Sequence, residues 1–227
     1  MPGTITPPAA IGFIGLGKMG VPMAARLVGA GFTLCGWDLS ASARVAASAA
    51  GIVLAASAAE ACRDAAAVVT MLPDGKAVRA ALEDPAVAAS LTAETLVIDM
   101  SSSDPLGTRD LHAALAARGI ALIDAPVSGG VARAVDGTLA IMAGGEDAAI
   151  DRGEALFASM GRHMFRCGPP GAGHAMKALN NYVNAAVLAV TLEAIVAGRQ
   201  FGIDEETLLG SLEAATMGRN HPYEKKI

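Results

Sequence analysis

Aromatic side chains are scarce in this chain of 227 residues: five Phe, two Tyr and one Trp make up 4% of it. Rings cannot fill a core of this size, so the interior must be built from small aliphatic side chains, with helices approaching closely. Cysteine is also rare. Cys35, Cys62 and Cys167 are odd in number and share no ligand-like spacing, which argues against a disulfide framework and fits reduced thiols in a cytoplasm. Neither they nor His112, His163, His174 and His221 suggest a metal site. Positive charge is in the minority, with 17 Lys and Arg against 22 Asp and Glu. No basic stripe offers itself to a phosphate backbone, so a nucleic-acid partner is not expected. The first residues, Met1 to Pro8, lack a basic segment followed by an apolar core, so no secretory signal is expected. One long apolar stretch exists, residues 175–197. Lys177, Asn180, Asn181, Asn184 and Glu193 interrupt it, and it makes a poor membrane span.

What is present is an alternation of short apolar runs and helical patterns. Strands are expected at 11–14, 33–37, 52–54, 67–71, 95–99, 121–124, 139–143 and 163–167. Helices are expected at 41–50, 57–63, 75–82, 105–118 and 147–159, with one more following the first strand through Met23, Leu27 and Val28. Apolar strands joined through helices imply an α/β fold of the Rossmann type, a doubly wound, mostly parallel sheet covered on both faces. Gly168-Pro169-Pro170-Gly171 then breaks the pattern. It places a domain boundary there, with residues 1–168 as a dinucleotide-binding domain. Residues 169–227 form a long interdomain helix and the start of a truncated all-α domain, with Gly202 and Asp204 ending that helix and capping the next.

The first strand runs directly into Gly15-Leu16-Gly17-Lys18-Met19-Gly20, and a helix pattern follows. In such a turn one glycine permits the tight bend, one lets a pyrophosphate approach the backbone, and one allows helix to pack closely on strand. The phosphates would lie at a helix N-terminus, where free N–H groups and the helix dipole favour an anion. Asp38 closes the second strand, where a carboxylate can accept hydrogen bonds from both ribose hydroxyls of an adenosine and repel a 2′-phosphate. NAD is therefore the expected cofactor. Arg44 lies close enough in sequence to leave NADP open.

Ligands of such sheets bind beyond the carboxyl ends of the strands. Three strands end there in Met71-Leu72-Pro73-Asp74, in Asp99-Met100-Ser101-Ser102-Ser103-Asp104-Pro105 and in Asp124-Ala125-Pro126-Val127-Ser128-Gly129-Gly130. The hydroxyl of Ser128 and the consecutive N–H groups of Gly129 and Gly130 suit a carboxylate. Beyond the breaker, Lys177, Asn180, Asn181, Asn184 and Thr191 fall within an arc of about 100° on a helix whose other sides are apolar. A solvated face would carry more charges. Neutral hydrogen-bonders around one cation describe a pocket wall, and a helix so largely apolar is expected to be mostly buried.

Four segments in this order resemble the β-hydroxyacid dehydrogenases, the family of 3-hydroxyisobutyrate dehydrogenase and tartronate semialdehyde reductase. They are Gly12 to Ala24, Asp99 to Pro105, Asp124 to Gly130, and Gly173-x-x-x-Lys177-x-x-Asn180-Asn181. The resemblance implies Lys177 as the catalytic residue, with Asn181 holding it and the substrate. It implies that Ser128, Gly129 and Gly130 take the substrate carboxylate and that Leu72, Pro73 and Ser102 touch the cofactor, alongside Gly15, Leu16, Gly17, Met19, Gly20 and Asp38. The reaction would move a hydride between NAD and a short 3-hydroxy acid or its semialdehyde, without a metal. Tartronate semialdehyde reductases and threonate-type dehydrogenases fall within the same implication. Asn180 stands where the related 6-phosphogluconate dehydrogenases carry His, which makes sugar phosphates poorer candidates. Family members carry further helices and a second Lys-Asp motif that have no counterpart here, so a nucleotide-binding module without turnover is the alternative expectation. Many members associate, and a homo-oligomer through the long helix is expected.

Overall fold

The structure, a computed structural model, describes residues 3–212 and Ala214. Two compact units divide the chain, Met1–Ala178 and Leu179–Ile227. The first begins as an alternation of β1 (Ala10–Ile14), α1 (Gly20–Gly29), β2 (Thr33–Trp37), α2 (Ala41–Ala49), β3 (Val53–Leu54), α3 (Ala58–Cys62) and β4 (Ala67–Thr70). It continues through α4 (Gly75–Glu83), α5 (Pro85–Ser90), β5 (Leu96–Asp99), α6 (Pro105–Ala116) and β6 (Ala121–Asp124). Then come β7 (Val127–Ser128), α7 (Gly130–Asp136), β8 (Leu139–Gly144), α8 (Asp147–Met160) and β9 (Gly161–Gly168). A long helix, α9 (Ala172–Gln200), starts in the first unit and ends in the second, where α10 (Glu205–Leu212) follows.

The strands form one sheet in the order β3-β2-β1-β4-β5-β6-β8-β7, with β9 paired to β8. The pairs from β3 through β6 are parallel, as is β8 with β9, while β8 runs antiparallel to β6 and β7. The strand order reverses between β1 and β4, which is the crevice where doubly wound sheets bind nucleotides. Alternate residues of each strand feed opposite faces. Phe13 and Ile98 join Met23, Leu27 and Phe157 on one side, whereas Ile14 and Val97 join Val78, Leu82 and Leu111 on the other. Helices begin where polar side chains satisfy their free N–H groups: Ser40 accepts from the Ala43 N–H, Ser57 from that of Glu60 and Asp74 from that of Ala77.

In the second unit α9 ends at Gly202 with φ +77°, and Asp204 caps α10 by accepting from the Thr207 N–H at 2.9 Å. The helix is not the buried element its apolar pattern suggests. Only 6% of its most apolar window is buried, and Leu188, Val190 and Val196 are each at least 60% exposed. Its 29 residues are long and apolar enough, at a mean hydropathy of 1.4, to cross a membrane by those measures alone. Among the described residues nothing covers this surface. The end of the expected C-terminal helical segment, from residue 215 onward, lies outside the described residues.

Candidate functional site

The glycine-rich turn has the form its sequence demands. Gly15 leaves β1 with φ +100°, and a Cβ there would collide with the Met71 carbonyl. A Cβ on Gly20 would strike the Gly15 carbonyl, so only glycine lets α1 start this close to the strand. Gly17 is different. Nothing lies within 4 Å of where its Cβ would be, and the residue is exposed. That leaves a cradle into which a diphosphate fits against bare backbone. Leu16 turns its side chain into the core, with 1% exposure, so only its backbone faces this turn, and its N–H donates to Asp38 Oδ2 at 2.7 Å. Met19 is half-buried.

Asp38 follows β2, beside that turn. Its other carboxylate oxygen, Oδ1, accepts from the Ser40 N–H at 2.7 Å. Two backbone donors hold the carboxylate in place and leave lone pairs on both oxygens for ribose hydroxyls. Arg44 is spent locally, donating to the Asp38 carbonyl at 2.6 Å and the Leu39 carbonyl at 3.0 Å. These residues fit an adenosine with free ribose hydroxyls.

The loops after β4 and β5 are tied together. The Leu72 N–H donates to Ser101 Oγ at 2.9 Å, while Pro73 and Ser102 stay exposed at the rim. Beneath them lies a polar row that the strand register creates. Thr70, Asp99, Asp124 and Gly144 are consecutive partners across β4, β5, β6 and β8. Asp99 is 2% exposed and accepts from Thr70 Oγ1, the Ser101 N–H and Ser103 Oγ. Asp124 is 1% exposed and reaches forward instead. Its Oδ1 accepts from the Gly171 N–H and its Oδ2 from the His174 N–H, each at 2.8 Å. A strand-end carboxylate thereby caps α9 from another part of the chain.

Lys177 lies on α9 one turn beyond this cap, half-buried, with burial pushing its ammonium below the ordinary lysine value. Ser128 ends β7, also half-buried, and is followed by Gly129 at φ +132° and Gly130 at φ +68°. Gly129 stands at the N-cap of α7 and Gly130 opens that helix. Asn181 follows Lys177 by one helical turn, belongs to the second unit and is exposed. Asn180 Nδ2 is buried and finds no partner among the described residues. No group of three metal-ligating side chains occurs among the described residues.

On sequence grounds His174 was set aside as a metal ligand, and Asp99 and Asp124 carried no assigned function. His174 is 1% exposed. Its Nδ1 pairs with Thr108 Oγ1 at 2.8 Å, and its Nε2 donates to the Ser101 carbonyl at 3.2 Å. The ring stands 3.6 Å from Asp99 Oδ2 and 3.8 Å from Asp124 Oδ2. The available signal was positional: both acids end apolar strands, and the histidine opens the helix that carries Lys177.

Known proteins match this geometry along the chain. Residues 10–168 match the NAD binding domain of 6-phosphogluconate dehydrogenase, and residues 171–227 match the NAD-binding of NADP-dependent 3-hydroxyisobutyrate dehydrogenase. An NAD-dependent L-serine dehydrogenase of Pseudomonas aeruginosa is 41% identical over 209 residues, covering 92% of this chain and 70% of that protein. A probable 3-hydroxyisobutyrate dehydrogenase of Mycobacterium tuberculosis is 39% identical, with 91% and 69% covered. The solved structure of Mycobacterium tuberculosis 3-hydroxyisobutyrate dehydrogenase with L-serine superposes at a TM-score of 0.85 and 39% identity, over 92% of this chain and 71% of that one. A nucleotide cradle at the sheet's switch point, shared at this identity across nine-tenths of the chain, places the protein: it belongs to the 3-hydroxyisobutyrate dehydrogenase family of NAD(P)-dependent oxidoreductases.

Proposed function

We propose that this chain oxidises a short 3-hydroxy acid to its semialdehyde, or runs the reverse reduction, with NAD preferred over NADP and Lys177 as the group that moves the proton. The observation that carries the reading is Lys177 itself, a half-buried ammonium whose pKa is lowered by burial alone. An ordinary lysine, near 10.4, is a poor base at neutral pH, and burial shifts Lys177 in the direction that base chemistry needs. NAD bound in the glycine cradle supplies the acceptor for a hydride from the alcohol carbon. Lys177 takes the hydroxyl proton during oxidation and returns it during reduction. Ser128 and the N–H groups of Gly129 and Gly130 receive the substrate carboxylate, which fixes the alcohol end relative to the lysine. Asn181 lies on the same face of α9 by its spacing of four residues and holds the substrate beside Lys177. Leu72, Pro73 and Ser102 border the cofactor. L-Serine and 3-hydroxyisobutyrate, named in the relatives, share a carboxylate and a primary alcohol on the third carbon.

Residues 1–168 form the cofactor domain in this reading, and residues 169–227 begin the helical one. The protein is cytoplasmic, in keeping with three free cysteines, and binds neither nucleic acid nor membrane. Lys177, three asparagines and Glu193 on the long helix favour a protein neighbour over a bilayer. That neighbour is a second copy of this chain. Initial rates with L-serine, 3-hydroxyisobutyrate and tartronate semialdehyde, each with both cofactors, test the reading. Lys177→Ala is expected to lower kcat by about 10² or more with NAD affinity unchanged. NAD binding without turnover of any of these compounds would overturn it.

A further inference from the structure

The polar cluster around His174 is a considerable investment for a core of small aliphatics. An imidazole and two carboxylates are all at most 2% exposed. Burying such groups is unfavourable unless each is paired, and an apolar side chain of similar volume would pack the same space without that cost. Here the pairing is complete and runs to separate parts of the first unit. The ring bonds Thr108 on α6 and the Ser101 carbonyl after β5, and the His174 N–H is held by Asp124 at the end of β6. Ser101 in turn accepts from the Leu72 N–H after β4. One residue thus joins the loops beside the cofactor cradle, the strand that leads to Ser128, and the first turn of the helix carrying Lys177.

We propose that His174 is a positioning residue for Lys177: its ring and backbone fix the rotation and depth of the first turns of α9 against the ends of β5 and β6. The inference rests on the reading of Lys177 as the proton-transfer group. Asp124 holds the helix end through two backbone N–H groups, and Gly173 sets its distance from the sheet; both act near the helix axis and constrain rotation about it less than a side-chain tie does. The ring supplies the off-axis tie. A lysine nitrogen reaches about 8 Å from the helix axis, so a rotation of about 10° moves it by about 1 Å, given the 2.3 Å radius of the Cα cylinder. A displacement of that size is enough to cost about 10² in rate. The same rotation changes how far the ammonium is desolvated. Asp99 and Asp124 are the charged groups facing the ring, and neither is in the pair of contacts that the ring makes with Thr108 and Ser101.

The test compares His174→Ala, His174→Gln and Lys177→Ala in the full chain, with L-serine or 3-hydroxyisobutyrate and NAD. His174→Ala is expected to lose about 10² in kcat with KM for NAD within about twofold. Its kcat profile should move to higher pH as Lys177 becomes more solvated. Without any ligand, the amides of residues 171–178 should exchange faster with deuterated water while those of β1 and α1 do not. His174→Gln, whose amide can still donate to the Ser101 carbonyl, should recover most of the rate and the protection. Full activity and unchanged exchange in His174→Ala, with Lys177→Ala inactive, would overturn the proposal. If Lys177→Ala keeps its rate, the proton-transfer reading fails instead, and exchange over residues 171–178 still decides whether His174 anchors the helix. Should His174→Ala not fold, Thr108→Val and Asp124→Asn each remove one tie. Partial kcat loss with local loss of protection supports the proposal, and neither effect in either variant overturns it.

Discussion

Gly173→Ala adds one methyl group at the point where α9 meets the sheet, and its consequences can be worked from the local geometry. A Cβ there would overlap the Met142 carbonyl, stand 2.5 Å from the Asp124 carbonyl and 2.9 Å from Asp124 Oδ2. Two of these three atoms are backbone, one within β8 and one at the end of β6, so no side-chain rotation relieves the clash. Ordinary contact begins near 3.4 Å, and the helix start must therefore retreat by about 1 Å or the sheet edge must deform. Overpacking of this kind costs about 1–3 kcal/mol. For a chain of this size that lowers Tm by about 2–4 °C per kcal/mol. The retreat also stretches the 2.8 Å bonds from Asp124 to the Gly171 and His174 N–H groups and carries Lys177 with it. A shift of about 1 Å at a reacting group costs about 10² in rate. The cofactor cradle, between β1 and α1, makes none of these contacts, and its affinity for NAD should not change. Thermal unfolding, steady-state kinetics and titration of Trp37 fluorescence with NAD separate these effects, since Trp37 is the sole tryptophan and adjoins Asp38. A variant with native Tm and native kcat would refute the claim that this close approach fixes the lysine.

Asp38→Asn removes the charge that opposes a 2′-phosphate, and the native chain should bind NAD at least tenfold more tightly than NADP, or about 1.4 kcal/mol. Titration of both cofactors should show the gap narrowing in the variant, and equal affinities in the native chain would sink the NAD assignment. If Lys177 moves the proton as proposed, its lowered pKa gives turnover a pH dependence of known sign. Oxidation would then need the free amine, so its rate should rise with pH about a midpoint below the ordinary lysine value of about 10.4, while reduction would need the ammonium and should fall through the same range. Stability follows the same sign. The folded chain releases this proton before the unfolded chain does, so the cost of burying the ammonium disappears as pH rises between the two values. Lastly, Leu188, Val190, Leu192 and Val196 are all more than 50% exposed on α9, and soluble monomers rarely tolerate such a patch. Light scattering should find a self-associated chain that Leu192→Glu dissociates, and a stable monomer at micromolar concentration would rule that out.

The parts of this fold legible in the sequence are those whose cause is local. An apolar run meeting Gly15-x-Gly17-x-x-Gly20 specifies a strand, a turn and a helix, because each glycine answers a contact a few residues away. The long helix was legible because Gly168 to Gly171 cannot continue β9, and its end because Gly202 and Asp204 supply a stop and a cap. Short elements were harder to see. Helix α5 was passed over although Asp84 and Pro85 form a good start signal, with Asp84 Oδ1 accepting from the Ala86 and Val87 N–H groups. Six residues give too little periodicity to distinguish it from the tail of α4. Helix α7 was passed over as well, since Gly129 and Gly130 at its start, with φ +132° and +68°, are poor helix signals.

The His174 cluster was invisible for a deeper reason. Asp99, Asp124 and His174 are far apart in the chain, and no local rule joins a strand-end acid to a helix that starts at least three strands later. What joins them is the parallel sheet. Its register sets Asp99 directly beside Asp124, and β8 brings Gly144 alongside, where a Cβ would strike the Gly173 N–H. The space left by two adjacent glycine contacts is what admits the helix start, and the two carboxylates are what receive its unpaired N–H groups and its histidine. The sheet that builds the nucleotide crevice at β1 and β4 therefore also builds the seat for Lys177 at β5, β6 and β8. The cofactor cradle and the proposed proton-transfer site are thus set by one row of strand ends. A change that leaves every residue of the cradle intact can still disable the chemistry by shifting that row.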